Sequence, residues 1–245
     1  MLDFRIYQAL TFDCYGTLID WESGLLPILE RWAERNAVSL RGDQLLEAFA
    51  ETESQLEREG PRTLYPDILR GVVRTMAVKA GAPRDENAED ELAQSAGEWP
   101  AFPDSADALR ALKRYYKLAI LSNVDRNSFA ASNRRLGVAF DLVVTAQDVG
   151  SYKPELRNFE VLLGRLGDLG VASNRVLHVA QSLYHDHAPA KQLGIATVWI
   201  NRRQAKTGHG ATMPPRTPVT PDEEYPSMQA FAAAVEAAFT NAGRQ

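Results

Sequence analysis

Five strand-length apolar runs are spaced along this chain: Ala9-Leu10-Thr11-Phe12, Lys117 to Leu121, Leu142-Val143-Val144, Val176 to Ala180 and Ala196 to Ile200. β-Branched residues recur in the last four, and Gly, Asp, Asn or Ser bracket the runs. Their apolarity is continuous rather than alternating. A strand needs that pattern when helices cover both faces of a parallel sheet.

The intervening segments carry helical stripes. Phe159, Leu162, Leu163 and Leu166 follow the i, i+3, i+4, i+7 rhythm within Leu156 to Leu166, and Ala108, Leu109, Leu112 and Tyr115 do so within Asp104 to Tyr115. A last helix is expected after Pro226, with Ser227 as N-cap and Met228, Phe231, Val235 and Phe239 buried. Alternating strands and helices predict an α/β fold, a doubly wound, Rossmann-like parallel sheet. One break stands out. After the first strand about eighty residues show only helix-spaced apolar groups: Leu25-Leu26/Leu29/Trp32, Leu45-Leu46/Phe49 and Ile68-Leu69/Val72-Val73/Met76. Residues 20–100 therefore read as an all-helical cap inserted after the first strand, over the strand ends where α/β sheets bind ligands. Residues 1–19 and 101–245 form the core, and Glu98-Trp99-Pro100 with Phe102-Pro103 is the return hinge. Residues 204–227, with five prolines from Pro214 to Pro226, read as an irregular connection.

The composition narrows the function. With 245 residues the chain makes one large domain, or a core carrying a smaller insertion. A net charge of −5 argues against a nucleic-acid binder. No run approaches eighteen apolar residues, so no membrane span is expected, and the N-terminus lacks signal-peptide character. Cys14 is the single cysteine, which excludes an internal disulfide and any multi-cysteine metal site. A soluble, cytoplasmic protein is expected.

Four polar groups follow four successive strands. Asp13 ends the first and runs into a Gly-containing turn, where backbone N–H groups and the Thr17 hydroxyl would surround it. A carboxylate so held can act as a nucleophile, or simply close the turn. Ser122-Asn123 ends the second strand and suits either an anion or a helix N-cap. Lys153-Pro154 precedes a helix; Pro154 suits its first turn, and Lys153 either reaches inward to a carboxylate or is solvated. Asp186 follows the fourth strand. His185 and His187 flank it but would not share a helical face, so a histidine metal site is not expected.

Together, Asp13-x-Tyr15-Gly16-Thr17-Leu18, Ser122-Asn123, Lys153-Pro154 and Ser182-x-x-x-Asp186 resemble the haloacid dehalogenase superfamily of hydrolases, over nearly the whole chain. Within it, the phosphatase branch usually has a second aspartate, the leaving-group acid, where this chain has Tyr15. An unperturbed phenol holds its proton too tightly for that task. The motif looks like that of the L-2-haloacid dehalogenases, whose halide leaving group needs no proton. Mg²⁺-dependent members usually carry two acidic residues at the fourth motif, whereas Gln181 precedes Ser182 here.

The resemblance implies metal-independent hydrolysis of a small 2-haloalkanoic acid. Asp13 would displace halide and form an aspartyl ester, which water then hydrolyses. Lys153 would offset the charge, Thr17, Ser122 and Asn123 would position Asp13 and the substrate carboxylate, and Asp186 would hold Lys153 or help activate water. Tyr15, Ser182, Leu183 and Phe159 are the expected substrate-binding positions. The sequence also departs from the family. Leu183 stands where the resemblance implies an Asn that places water, and Phe159 where it implies a Tyr. A cap arginine would fall near Ala50, with Arg41, Arg58 and Arg62 as candidates. Both changes predict a more apolar pocket. Two other readings remain: a phosphatase holding Mg²⁺ at Asp13 and Asp186, and a non-catalytic binding protein. Homodimers are common in the family, although no interface signature is visible in this sequence.

Overall fold

The computed structural model describes residues 2–242 apart from 205 and 207. Six parallel strands lie in the order β3-β2-β1-β4-β5-β6: β1 (Ala9–Phe12), β2 (Lys117–Ser122), β3 (Leu142–Thr145), β4 (Val176–Ala180), β5 (Ala196–Ile200) and β6 (Glu223–Tyr225). β1 is central, with Phe12 paired to Ile120 on one side and Val179 on the other. All four β1 residues are buried. Leu10, Phe12, Leu118, Ile120, Leu177 and Val179 join the core of one face. Ala9, Ala119, Leu121, Val144 and Val176 join that of the other. Successive side chains alternate between faces, so continuous apolarity is what covering both faces requires.

Four helices separate β1 from β2: α1 (Trp21–Arg35), α2 (Asp43–Glu59), α3 (Tyr65–Ala80) and α4 (Glu86–Ser95). Asp20 caps α1 by accepting from Ser23 N–H, and Asp85 caps α4 by accepting from Ala88 N–H. The two ends of this segment are tied together. Ile19 bridges Ala101 antiparallel, Asp20 N–H donates to Pro100 O (2.7 Å), and Phe102 N–H donates to Leu18 O (3.0 Å). Gly24 of α1 lies against Trp99, where a Cβ would overlap the indole ring.

The remaining helices are α5 (Ser105–Leu112), α6 (Arg126–Leu136), α7 (Ala146–Val149), α8 (Leu156–Asp168), α9 (Ala188–Gln192) and α10 (Met228–Ala242). α10 packs on α5 on one side of the sheet, whereas α8 and α9 lie together on the other. Ser227 Oγ accepts from Ala230 N–H, and Met228, Phe231 and Val235 are buried as expected, whereas Phe239 is only partly buried. Among the described residues no helix is long and apolar enough to cross a membrane.

Three expectations need correction. The stripe of 104–115 ends one turn early at Leu112, and Tyr115 instead stacks on Phe239 at 4.4 Å. The proline-rich stretch contains a sixth strand, β6, too short and too acidic to show a strand pattern. It forms through backbone pairing with β5, which any side chain permits. Pro154 lies before α8 rather than in its first turn; the Lys153–Pro154 peptide is cis and Glu155 is the N-cap.

Candidate active site

The register brings the ends of β1, β2 and β4 to one edge of the sheet, and the polar residues beyond them converge there. Lys153 is 2% exposed. Its Nζ donates to Asp13 Oδ1 (2.9 Å), Asp186 Oδ1 (2.7 Å) and Leu121 O (3.0 Å). Asp13 Oδ2 accepts from Thr17 Oγ1 (2.7 Å), which in turn accepts from Gln181 N–H (2.9 Å). The turn between Asp13 and Thr17 needs Gly16 at φ 89°, a conformation other residues rarely adopt.

The electrostatics follow from burial and partners. Burial pushes the Asp13 carboxyl above its ordinary value, and the Asp186 charge adds to the rise, while Lys153 opposes it. Burial also opposes ionisation of Asp186. The Lys153 charge and the His178 hydrogen bond outweigh it and hold Asp186 below the usual carboxylate range. Lys153 is kept charged because its two carboxylates exceed the cost of burying an ammonium.

Asp13, Thr17, Lys153 and Asp186 thus meet as expected, but other members of the expected set do not. No backbone N–H among the described residues reaches the Asp13 carboxylate; its partners are side chains. Asn123 does not touch Asp13. Its Oδ1 accepts from Lys153 N–H (2.7 Å) and its Nδ2 donates to Lys153 O (3.0 Å), so it clamps the lysine backbone. Ser122 lines the cavity over Asp13, with an Oγ that finds no partner. Tyr15 also lines the cavity, and its hydroxyl shares a 2.8 Å hydrogen bond with Ser132. Burial drives this phenol well above its ordinary pKa, so it is a still weaker acid than a free tyrosine. Ser182 lines the cavity and caps the π-helical turn Leu183–His187 by accepting from His185 N–H.

Phe159 and Leu183 are corrected. Phe159 is fully buried behind the site, edge-on to His178 at 5.1 Å, because α8 turns its apolar stripe into the sheet. Leu183 faces a separate surface hollow beside Trp199 and His209. Neither makes the cavity apolar. None of the candidate cap arginines lines the cavity. Arg58 and Arg62 face a neighbouring wider cleft, and Arg41 folds onto Val38 O and Leu40 O. Ala50 is buried on α2.

In place of an arginine, the helices contribute Glu53, Glu57, Trp21 and Tyr65 to the wall. Tyr65 OH donates to Glu53 Oε1 at 2.7 Å, and Asn123 Nδ2 reaches both Glu57 oxygens at 3.3–3.4 Å. Burial raises Glu53 to about 8 and pushes Glu57 well above its ordinary value, with Glu53 adding to the rise. These residues continue the stripe Leu46, Phe49, Ala50 into Glu53 and Glu57, so charge at core spacing was the available signal. His178 was also unforeseen. Its Nε2 lies 3.0 Å from Asp186 Oδ1 and its Nδ1 2.8 Å from Thr11 Oγ1. The carboxylate can only accept, so Nε2 carries the hydrogen. A histidine inside the apolar run of β4 was its signal. The space over Asp13 measures about 40 Å³, room for only a very small ligand. Among the described residues no group of three or more His, Cys, Asp or Glu side chains is arranged to hold a metal ion.

A sheet-edge carboxylate held by lysine and threonine beneath a small cavity is the site of a hydrolase. The family model of haloacid dehalogenase-like hydrolases matches residues 7–194, and the chain belongs to that family. Its relatives include (S)-2-haloacid dehalogenase 4A of Burkholderia cepacia, 31% identical over 205 residues that span 80% of this chain and 84% of the relative. The L-2-haloacid dehalogenase of Xanthobacter autotrophicus, solved with chloropropionic acid covalently bound, superposes with a TM-score of 0.72 at 22% identity, covering 94% of this chain and 98% of that one. The magnesium-bound HAD-hydrolase YfnB of Bacillus subtilis superposes equally well, with a TM-score of 0.72 at 17% identity over 94% and 99% of the two chains. At these identities the superpositions establish the fold.

Proposed function

We propose that the protein hydrolyses a carbon–halogen bond of a small organic molecule through an ester on Asp13, without a metal ion. The observation that carries this reading is Lys153 Nζ, bonded to both Asp13 and Asp186. It stands between the two carboxylates that the Mg²⁺ reading would use, and supplies the positive charge there. Tyr15, bonded to Ser132 and pushed toward weaker acidity, is a poor proton donor for an alcohol leaving group. Halide leaves unprotonated, so the displacement step needs no such donor. The named activities of the dehalogenase relatives support the same reading.

In this scheme an Asp13 oxygen attacks the halogen-bearing carbon and the C–X electron pair departs as halide. Water then adds to the Asp13 carboxyl carbon, the acyl–oxygen bond breaks, and an alcohol and one proton are released. Thr17 fixes the orientation of the carboxylate, Lys153 offsets its charge, and Asp186, held by His178, fixes Lys153. Residues 20–100 act as a helical cap over a core of residues 1–19 and 101–245, a division supported by the antiparallel bridge between Ile19 and Ala101.

Halide release from a panel of small organohalides in EDTA tests the proposal, with p-nitrophenyl phosphate and Mg²⁺ as the rival assay. The expected result is EDTA-resistant halide release that disappears in Asp13→Asn, because an amide is a poor nucleophile. Turnover retained in Asp13→Asn, or phosphate release alone, would overturn it.

A further inference from the structure

Lys153 has three N–H donors, and Asp13, Asp186 and Leu121 O take all three. Among the described residues lining the cavity there is no arginine and no second lysine. His185 lines it too, but burial holds that imidazole down at about 4, so it brings no positive charge near neutral pH. A substrate carboxylate would therefore meet no free cation in the cavity. It would instead face Glu53 and Glu57, one turn apart on the same face of α2 and each 4% exposed.

The leftover polar atoms agree. Ser122 Oγ and Asp186 Oδ2 both belong to cavity-lining residues, 2% and 0% exposed, and neither atom has a hydrogen-bond partner. Glu57 receives only long hydrogen bonds from Asn123. The Asp186 oxygen can only accept, and the Ser122 hydroxyl can accept as well as donate, so the cavity has acceptors to offer a ligand that donates.

We propose that Glu53 and Glu57 make the cavity selective for a cationic small substrate, a haloalkylammonium ion rather than a haloalkanoate. The assignment deepens the carbon–halogen reading above and rests on it for the reaction, while the charge selection rests on the cavity wall. It differs from the 2-haloalkanoic acid that the sequence resemblance implied. The ammonium hydrogens reach the glutamate oxygens, and the halogen-bearing carbon lies toward Asp13. Bond making and breaking are unchanged: 2-bromoethylammonium and water give 2-hydroxyethylammonium, bromide and one proton. Both glutamates are held toward the neutral form by burial, and an ammonium between them stabilises the charged form.

The test compares kcat/KM for bromide release from 2-bromoethylammonium, 2-bromoethanol and bromoacetate near neutral pH, with enzyme-free controls. Calorimetric titration of the unmodified protein with ethylammonium and with propionate runs beside it. The expected result is a preference of about tenfold or more for the cation over the acid. In Glu53→Gln/Glu57→Gln the cation-to-alcohol ratio should fall by a similar factor. A preference for bromoacetate, or an unchanged ratio in the double variant, would overturn the charge assignment and leave the carbon–halogen reading standing. Silence on all three bromides with ethylammonium bound and propionate rejected would overturn the reaction and uphold the cation wall. Silence with no ethylammonium binding would overturn both.

Discussion

Lys153 is the residue on which the site depends, because it compensates two carboxylates that have no other cation. Removing one partner of a buried charge cluster leaves the others uncompensated, a cost of about 3–5 kcal/mol. Lys153→Met should therefore lower stability by that order in a denaturant titration and slow turnover on the order of 10²-fold or more. Full activity in this variant would remove Lys153 from the mechanism. Asp13 makes a second prediction. In the proposed reaction only its charged form attacks, and burial raises its pKa. Activity must rise with pH through that value, so the acid limb of kcat/KM should lie above the ordinary carboxylate value of about 4. A limb at or below that value would mean that Lys153 outweighs burial. Asp13, Thr17, Lys153 and Asp186 were legible in the sequence because each follows a strand at a distinctive motif. Glu53 and Glu57 were not, because an acidic residue on a helix is ordinarily solvated; only their spacing along an apolar stripe hinted at burial.

At the scale of elements, the caps and stripes carried most of the information. Ser227 accepts from Ala230 N–H as the cap that local sequence predicts, and the structure adds Asp20 and Asp85 as caps of the same kind. Contacts between elements were less visible. Gly24 is such a case: nothing nearby in sequence explains a glycine within α1, but Trp99 occupies the space its side chain would fill. Trp99 also packs edge-on against Tyr15 at 5.4 Å, so this contact reaches the cavity wall. Gly24→Ala should cost on the order of 1–3 kcal/mol through overpacking, although alanine is the better helix former. An increase in melting temperature would show that Trp99 can move aside without cost. β6 was missed for a related reason: an edge strand of three residues owes its form to β5 and carries no periodicity of its own.

The whole molecule buries an acidic group between α2, α3 and the sheet edge, and that burial links stability to pH. Glu53 titrates at about 8 in the folded chain against an ordinary 4.5, with Tyr65, Glu57 and Lys153 among its ionisable surroundings. The folded state therefore binds the proton more tightly. The associated stability is complete below the ordinary value and is lost as pH rises through about 8. The melting temperature should fall between about pH 5 and about pH 9, and less steeply in Glu53→Gln. Equal slopes would mean that the cavity admits enough water to solvate the carboxylate.

By itself the sequence determined the parallel α/β sheet, the helical segment after β1, and the sheet-edge carboxylate Asp13 with its lysine. Each of these depends on periodicity, turn chemistry or a short motif, which are local properties of the chain. The tertiary structure alone decided which wall stands opposite Asp13. It directed Phe159 and Leu183 away from the cavity and Arg58 and Arg62 into another cleft, and brought two buried glutamates in their place. Those choices depend on how α2, α3, α8 and the turn after β4 pack at the sheet edge, a relation between segments far apart in sequence. Charge selection at the site is a property of that packing, because it sets Glu53 and Glu57 in the cavity wall and engages all three Lys153 hydrogens with protein acceptors.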